Sequence, residues 1–461
     1  MDQHAEQLIK QVASSPAIVL DKTIDAGRQV AQAVTDQSTI KKAREYWHVL
    51  GPGLTTGAAD DDPSGIATYS QQGASTGFQL LWLAPLTFPL MATVQEMCAR
   101  IGLVTGRGLA ANIRNHYSRN LLYLCTLLLL GANILNLGAD LGAMAKATQL
   151  LLPGIDFVYL VTAFTLISLG LQIFTSYKDY SKYLKFLALI LVAYIFSTLS
   201  IPDLNWQQIG LSAIIPNLSL SKDQIILITG ILGTTISPYL FFWQPSQEVE
   251  EEILRGKTTI KMRQEETTVR EIKNMRLDVW TGMFISNLVM FFIIVACAAT
   301  LHSVGITNIT TAADAAAALR PLAGENAYLL FALGIVGAGL LAVPVLAGSA
   351  SYAISEAFGW KFGLYRKLGE ASAFYGVILI AMLVGFAVNF VGWDPIKILI
   401  YSAVGNGIIA PVILFFIVGI SSNKKIMGKW VNRPLTKLIG WITTLLMSVT
   451  AVAAIYSLAT V

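Results

Sequence analysis

The sequence predicts an all-α polytopic membrane protein, and composition, segment length and two interrupted segments support this. Hydrophobic residues make up 54% of the chain and charged residues 13%, with a mean hydropathy of +0.61. Soluble domains do not have this composition. About eleven apolar stretches are long enough to cross a bilayer, which takes about 20 residues each. Two of these stretches are interrupted by proline and polar residues at matching places.

The predicted segments follow one another closely and leave no room for a sizeable soluble domain. Numbered 1 to 11, they are 49–78 (broken), 79–102, 119–152, 157–175, 181–200, 223–254 (broken), 277–301, 325–357, 372–390, 396–418 and 436–458. Residues 1–45 are polar and predict an N-terminal tail, whereas 46–461 predict the transmembrane domain. The three cysteines fall in apolar segments, so we expect neither disulfides nor a metal cluster.

Lysine and arginine concentrate in the loops on one side of these segments. They are Arg107, Arg114 and Arg119, then Lys178 and Lys182, then Arg255, Lys257, Lys261, Arg263, Arg270, Lys273 and Arg276, then Lys361, Arg366 and Lys367, and finally Lys424, Lys425, Lys429, Arg433 and Lys437. The other side offers little beyond Lys222 and Arg320. Positive charge marks the cytoplasmic face, so the N-terminus and its tail are predicted inside and the C-terminus outside. The net charge of +4 reflects this asymmetry and indicates no nucleic-acid partner.

Both interruptions have the composition of a helix break. Segment 1 contains Asp60-Asp61-Asp62-Pro63-Ser64-Gly65, and segment 6 contains Ser237-Pro238-Tyr239. Proline removes a backbone donor and clashes with the preceding turn, so each helix should end and restart there. Within a membrane, freed backbone groups and ionisable side chains are tolerated where they line a functional cavity. Two facing breaks, one with three acids, therefore predict a cation site near the middle of the membrane.

The two breaks lie five crossings apart, which predicts an internal repeat. A five-helix unit repeated after an odd number of crossings must be inverted in the membrane. The predicted repeats cover about 49–200 and about 223–418, followed by an extra helix at about 436–458. In such an architecture the substrate binds where the half-helices of the two repeats meet.

Three stretches carry a resemblance to a known family. The run LGPGLTTGAADDDPSGIATYSQQGASTGFQLLW, continuing to ARIGLVTGRGLA, resembles the helix 1–2 region of the Nramp family of divalent-metal transporters. GTTISPYLFFWQ falls where that family has its broken helix 6, and NKKIMGKWVNRP resembles the stretch after helix 10. The resemblance implies a leucine-transporter-like fold. It also implies alternating-access transport of a transition metal or Mg²⁺, with the metal as substrate and no cofactor.

The chain departs from the family pattern at both breaks. The family usually shows Asp-Pro-Gly-Asn in helix 1, whereas Asp62-Pro63-Ser64-Gly65 stands here, so the asparagine ligand is replaced by Gly65. In helix 6 the family has Met-Pro-His, and here Ser237 and Tyr239 replace the methionine and the histidine. A thioether is a soft ligand, whereas an all-oxygen site suits Mg²⁺, which gives up its waters reluctantly. The pattern resembles the Nramp-related magnesium transporters, although an aluminium-transporting branch also lacks the methionine.

Matching the family motifs implies a set of site residues. The implied metal contacts are Asp62 as the direct anionic ligand, the backbone carbonyls of Ala59 and Thr234, and the side chains of Ser237 and Ser64. The implied lining residues are Asp60, Asp61, Gly65, Tyr239, Gln244 and Asn406. Asp60 and Asp61 could instead line a vestibule or cap the second half of helix 1. Ser237 could be a small packing residue, and Asn133, Asn136 and Asn287 are expected to bond between helices.

Proton coupling is predicted to be weak. The family's second helix 6 histidine falls at Gln244, and its helix 3 Asp–x–x–Glu pair falls at Asp140 and Ala143. Independently of the family, His4, His48, His116 and His302 lie in tails, in loops or at a segment edge, so no imidazole is expected deep in the membrane. Asp140 is the remaining possible proton route. Lys146 lies about 120° from it around the same helix, which argues against a direct pair.

These observations favour uncoupled transport of Mg²⁺ and Mn²⁺ by a monomer in the cell membrane. A proton-coupled Mn²⁺/Fe²⁺ symporter and an aluminium transporter stay open as alternatives. An enzyme would need a nucleophile–base pair or a closed metal-ligand set, and neither is visible in the segments. A channel would ordinarily build its acidic ring from symmetric subunits, whereas these polar groups come from two dissimilar breaks in one chain.

Overall fold

Residues 50–175, 192–219, 221–309, 311–319, 324 and 327–460 are described in the computed structural model, and these residues contain helices and no β-strand. The helices are α1 (Pro52–Asp60), α2 (Pro63–Thr76), α3 (Leu83–Thr105), α4 (Leu109–His116), α5 (Arg119–Gln149), α6 (Phe157–Phe174), α7 (Val192–Leu199), α8 (Trp206–Ile214), α9 (Lys222–Thr235), α10 (Pro238–Leu254), α11 (Ile260–Glu265), α12 (Val269–Thr300), α13 (Ala312–Ala317), α14 (Ala327–Phe358), α15 (Ser372–Val388), α16 (Pro395–Ser421), α17 (Lys424–Met427) and α18 (Pro434–Ala459). The helices from Pro52 onward belong to one compact unit.

Ten of the eleven predicted segments lie wholly or almost wholly within the described residues, and each contains a helix or a broken pair of helices. By length and apolarity, seven helical stretches there can cross a membrane, and α15 is a shorter apolar helix. They are Arg119–Gln149, Phe157–Phe174, Lys222–Leu254, Val269–Val304, Ala327–Phe358, Pro395–Ser421 and Pro434–Ala459. Most of segment 5 (181–200), the predicted tail at 1–45, and the residues Lys178, Lys182 and Arg320 lie outside the described residues.

Helix α3 carries several polar side chains that are buried inside the protein. Gln95, Glu96 and Arg100 are each less than 5% exposed. The Glu96 carboxylate pairs with Arg100 at 3.1 Å and with Arg276 of α12 at 3.0 Å. A buried charge is tolerated when it is paired and hydrogen-bonded. These ion pairs give Glu96 a structural role between α3 and α12.

The first break is confirmed at the position that the sequence predicts. Helix α1 ends at Asp60 and α2 begins at Pro63, with Asp62 as its N-cap. The Asp62 carboxylate accepts a hydrogen bond of 2.6 Å from the Gly65 amide, which would otherwise be one of the unsatisfied donors of the first turn. Pro63 occupies the first helical position, where its missing N–H costs nothing.

The second break is confirmed as well, but its local chemistry differs. Helix α9 ends at Thr235 and α10 begins at Pro238, with Ser237 as the N-cap. The Ser237 side chain makes no capping bond to α10. Its hydroxyl instead donates to the Thr234 carbonyl at 2.6 Å, at the end of the preceding helix.

Glycine contacts bring both broken helices close to their neighbours. A β-carbon at Gly57 of α1 would overlap the backbone of Gly282 on α12, and one at Gly233 of α9 would overlap the backbone of Ala403 on α16. Small residues allow this approach between membrane helices. The Asp278 carboxylate of α12 also accepts bonds from the first amides of α1, at 2.7 Å from Gly53 N and 3.0 Å from Leu54 N. The break is thereby fixed in position from the other end of α1.

The connection from α10 to α12 is anchored on the end of α3. Arg263 donates to the Gly106 carbonyl at 3.2 Å, and Thr267 donates to the Leu103 carbonyl at 3.2 Å. Lys257 pairs with Glu271 at 2.7 Å and with Glu252 at 3.2 Å. Burial of Lys257 opposes its charged form, but its bonds to these two carboxylates outweigh that effect and raise its pKa above the usual value.

Glu356 at the end of α14 joins three helices. Its carboxylate accepts from the Ala111 amide in the first turn of α4 at 3.0 Å and from the Ser246 hydroxyl of α10 at 3.1 Å. A β-carbon at Gly108 would displace the Glu356 carboxylate from its present position. These contacts agree with a structural role for Glu356.

Candidate metal site

The two breaks face each other and are joined by a hydrogen bond. The Tyr239 hydroxyl at the start of α10 donates to the Ala59 carbonyl near the end of α1 at 2.8 Å. The Thr234 carbonyl accepts from Ser237, so each of these carbonyl oxygens already has one partner. A carbonyl oxygen has two lone pairs, and each therefore retains one for an ion or a water molecule.

Asp62 is buried, and both of its carboxylate oxygens are engaged. Oδ1 accepts from the Gly65 amide at 2.6 Å and from the Ser64 hydroxyl at 2.7 Å. Oδ2 accepts from the Asn136 amide of α5 at 2.8 Å, and Asn136 in turn accepts from the Ser402 hydroxyl of α16 at 2.7 Å. The carboxylate is thus bonded directly to α2 and α5 and linked to α16 through Asn136, and Oδ2 has the larger remaining capacity to accept a contact.

Asp60 and Asp61 face a different helix. The Ser286 hydroxyl of α12 lies 3.1 Å from Asp60 Oδ2 and 3.2 Å from Asp61 Oδ1. Asp60 Oδ1 is buried and has no hydrogen-bond partner among the described residues. Within the described part of the chain, no three His, Cys, Asp or Glu side chains come together as a metal cluster. The three consecutive acids therefore divide between α12 and α5, and Asp62 rather than Asp60 or Asp61 caps α2.

Among the described residues, no positively charged side chain pairs with the carboxylates around the first break. The ion pairs formed by the described residues do not include Asp60, Asp61, Asp62 or Asp140, although all four are buried. Burying a carboxylate without a counter-charge is costly. A cation bound at the break would offset this cost, so the region has the electrostatics of a cation site.

Asp140 and Asn406 are both buried, and within the described residues neither side chain has a hydrogen-bond partner. The structure does not bring them together. Helices α5 and α16 run antiparallel, since Asn136 meets Ser402 whereas Gly142, further along α5, packs against Pro395 at the start of α16. Asp140 and Asn406 each lie four residues beyond the Asn136–Ser402 bond, about 6 Å away from it in opposite directions.

The surroundings of these two residues differ. Asn406 lies between Ala403 and Gly407, which pack against Gly233 of α9, and is therefore close to the second break. Lys146 lies over the Phe157 ring at 5.0 Å from its centroid, which agrees with the expectation that it does not pair with Asp140.

Gln244 lies away from the centre of the site. It is six residues past Pro238, about 9 Å along α10, and its amide donates to the Glu248 carboxylate at 2.9 Å. The described histidines are also distant from the breaks. His302 at the end of α12 bonds to the Ala74 carbonyl at 2.8 Å, and His116 ends α4. His4 and His48 lie outside the described residues.

The structure adds residues that the sequence did not assign to the site. Asn136 was expected only to bond between helices, but it bonds to Asp62 itself. Ser402 donates to Asn136, and Ser286 donates to Asp61. Asn133 and Asn287 do bond between helices, to the Leu346 carbonyl at 2.9 Å and to the Thr87 hydroxyl at 2.9 Å. The spacing of Asn136 and Asp140, four residues apart on one helix face, was the available signal.

A polytopic helical protein whose two broken helices meet around buried carboxylates belongs to the class of membrane transporters.

The manganese transporter of Eremococcus coleocola, solved with an aromatic bis-isothiourea substituted compound, has a similar fold. Its TM-score is 0.68 at 18% identity, over 91% of this chain and 88% of that one. Mhp1 in an inward-facing conformation matches with a TM-score of 0.52 at 15% identity, over 89% of this chain and 91% of that one. MhsT in complex with L-phenylalanine also matches with 0.52, at 11% identity, over 88% and 98%.

These likenesses establish the fold, and the predicted leucine-transporter-like architecture is confirmed. Residues 53–457 match the family described as natural resistance-associated macrophage protein-like, and the chain belongs to this Nramp family. It is a multi-pass membrane transporter of divalent metal ions and not an enzyme. The metal is the transported substrate, and transport needs no cofactor.

Proposed function

We propose that this transporter carries Mg²⁺, and also Mn²⁺, across the cell membrane as partly hydrated ions by alternating access. The observation that supports this best is the chemistry of the facing breaks. Asp62, Ser64 and Ser237, together with the carbonyls of Ala59 and Thr234, offer oxygen atoms and no sulfur or imidazole. Hard oxygen ligands suit Mg²⁺ and Mn²⁺, whereas a thioether would favour softer ions.

Asp62 is the proposed direct anionic ligand, and the existing hydrogen bonds favour a hydrated ion. Asp62 Oδ1 already has two donors, and the carbonyls of Ala59 and Thr234 each have one. An ion stripped of all its waters would have to displace several of these contacts. An ion that keeps part of its hydration shell can use the remaining lone pairs through water, and Mg²⁺ retains several waters in most protein sites.

The proposal includes transport that is not obligatorily coupled to protons, by a monomer with a cytoplasmic N-terminus and an external C-terminus. Tyr239 and Gln244 stand where the family has histidines, and no described histidine lies near the breaks. A proton-coupled mode is the second candidate, because the unpartnered Asp140 carboxylate is one group that could carry a proton. The positive charge of the loops supports this orientation. It includes Lys257, which pairs with Glu271, and Arg263, which donates to the Gly106 carbonyl, both on the proposed cytoplasmic side.

Uptake into proteoliposomes tests the substrate. Mg²⁺ and Mn²⁺ are supplied in parallel over a range of concentrations, with protein-free vesicles as the control for leakage. We expect saturable entry of both ions. Saturable Mn²⁺ entry without Mg²⁺ entry would contradict the proposal and favour the transition-metal alternative.

A further inference from the structure

Two buried polar side chains follow the second break along α10. Gln244 and Glu248 lie four residues apart and therefore share one face of the helix, about 9 Å and about 15 Å from Pro238 along its axis. Gln244 is 0% exposed and Glu248 is 7% exposed. The Gln244 amide donates to Glu248 Oε1 at 2.9 Å. The pair thus lies between the central metal site and the end of α10.

A carboxylate of α12 lies close to this pair. Ser286 of α12 bonds to the acids of the first break, and Asp278 lies eight residues before it, about 12 Å along the helix. Among the described charged residues, Asp278 has the strongest electrostatic effect on Glu248. Asp278 also accepts from the Gly53 and Leu54 amides. Glu248 and Asp278 therefore meet beside the N-terminal end of α1.

Glu248 is the less compensated of these two carboxylates. Asp278 receives two backbone amides, at 2.7 Å and 3.0 Å, which stabilise its charge. Within the described part of the chain, no ion pair includes Glu248, and its hydrogen-bond donor is the neutral amide of Gln244. Burying a carboxylate beside another carboxylate, without an ion pair of its own, is costly. A cation next to Glu248 would offset this cost.

The carbonyl oxygen of Gln244 independently indicates a ligand at the same place. Oε1 is buried and has no hydrogen-bond partner among the described residues. It belongs to the same planar amide whose nitrogen bonds to Glu248, so Oε1 lies close to the Glu248 carboxylate. A buried acceptor without a partner costs about 1–3 kcal/mol, and native proteins normally supply one. Amide and carboxylate oxygens together are ligands that hard divalent cations prefer.

We propose that Gln244 Oε1 and the Glu248 carboxylate bind a second divalent cation, which Asp278 contacts through water. This second site lies on the side of the breaks where α1 begins, which the proposed orientation places toward the cytoplasm. An ion that leaves Asp62 in that direction is held there before it reaches the loop after α10. The inference goes beyond the proposed function, because it does not depend on a preference for Mg²⁺ or on the absence of proton coupling.

Binding of Mn²⁺ to the purified full-length protein in detergent tests the second site. Unbound Mn²⁺ is measured by its electron paramagnetic resonance signal, and Asp62→Asn serves as the background because it weakens the central site. Adding Glu248→Gln to this background should reduce the number of bound Mn²⁺ ions by one, since a neutral amide replaces the charged ligand. Glu251→Gln is the matched control and should leave the number unchanged, because Glu251 pairs with Arg255 at 3.3 Å on the same helix.

Gln244→Leu provides a second variant, in which the carboxylate is retained. The second ion should bind about tenfold more weakly, because an oxygen ligand and the bond that orients Glu248 are both lost. Gel filtration verifies that each variant is folded. An equal number of bound ions with and without Glu248→Gln, or the same loss in Glu251→Gln, would overturn the inference. The comparison holds whether or not Asp62 is the central ligand, since both proteins carry Asp62→Asn.

Discussion

The two helix breaks differ in chemistry although both separate two helices by a pair of residues. The first contains three buried carboxylates, and one of them, Asp62, caps the helix that follows. The second contains only neutral groups, and its N-cap residue Ser237 bonds backward to Thr234 rather than forward to α10. The first break therefore provides negative charge at fixed positions, and the second provides neutral oxygen atoms with more freedom to change partners.

This difference separates attraction of the ion from discrimination between ions. The C-terminal ends of α1 and α9 both point their carbonyls at the site, and helix C-termini favour cations. In the proposed site the carboxylate adds the larger attraction, which acts on any divalent ion. The neutral break is then proposed to set which ion fits, through ligand softness and space. Substitutions at the first break should thus reduce all transport, and those at the second should change selectivity.

The largest loss of metal uptake is expected when Asp62 is replaced. Asp62→Ala removes both the cap and the charge, whereas Asp62→Asn keeps a good capping residue and removes only the charge. Both variants should lose saturable Mg²⁺ and Mn²⁺ uptake by at least about a hundredfold, because a buried charged ligand is lost. Thermal unfolding in detergent should show Asp62→Asn to be the more stable of the two. Retained uptake with unchanged apparent affinity in Asp62→Asn would refute the assignment of the ligand.

Ser237→Met should change selectivity and not abolish transport. The substitution adds a polarisable sulfur, removes a hydroxyl and reduces the space at the break. Uptake of Cd²⁺ and Mn²⁺ relative to Mg²⁺ should rise by about tenfold, equivalent to about 1.4 kcal/mol. Ser237→Ala, which removes the hydroxyl without adding a sulfur, serves as the control. An ion preference identical to that of the parent protein would show that Ser237 does not contact the ion.

A smaller effect, on stability, is expected at the N-terminal end of α1. Asp278→Ala removes the carboxylate that accepts from the Gly53 and Leu54 amides, so it should lower the free energy of unfolding by about 1 kcal/mol. Asp278→Asn should lose less, since its amide oxygen can still accept one bond. Unfolding is measured in detergent for the three proteins side by side. Equal stability of all three would show that the bonds to the Gly53 and Leu54 amides do not stabilise α1.

The helices and both breaks could be predicted from the sequence because local chemistry determines them. The length of each apolar stretch defines a span. Pro63 and Pro238 end one helix and begin another whatever the segment packs against, because the effect of proline on the backbone is local. Three adjacent acids, by contrast, do not reveal which way each side chain points. Their directions depend on Ser286 and Asn136, which lie far away in the sequence and are brought close only by tertiary packing.

Other parts of the site depend on helix direction and could not be predicted for the same reason. Asp140 and Asn406 are both polar positions on apolar helices, but the antiparallel course of α5 and α16 separates them. Gln244 matches a family position, yet its distance from the break and its bond to Glu248 are visible only in the structure.

The central claim is that the carboxylates of the first break attract the ion and that transport needs no proton carrier. Replacing Asp140 tests this claim most directly. Mg²⁺ entry and internal pH are measured together in proteoliposomes held at zero or inside-negative potential. The account predicts saturable Mg²⁺ entry that increases with the negative potential, no acidification of the lumen, and the same behaviour in Asp140→Asn. Metal-dependent acidification that disappears in Asp140→Asn would contradict it.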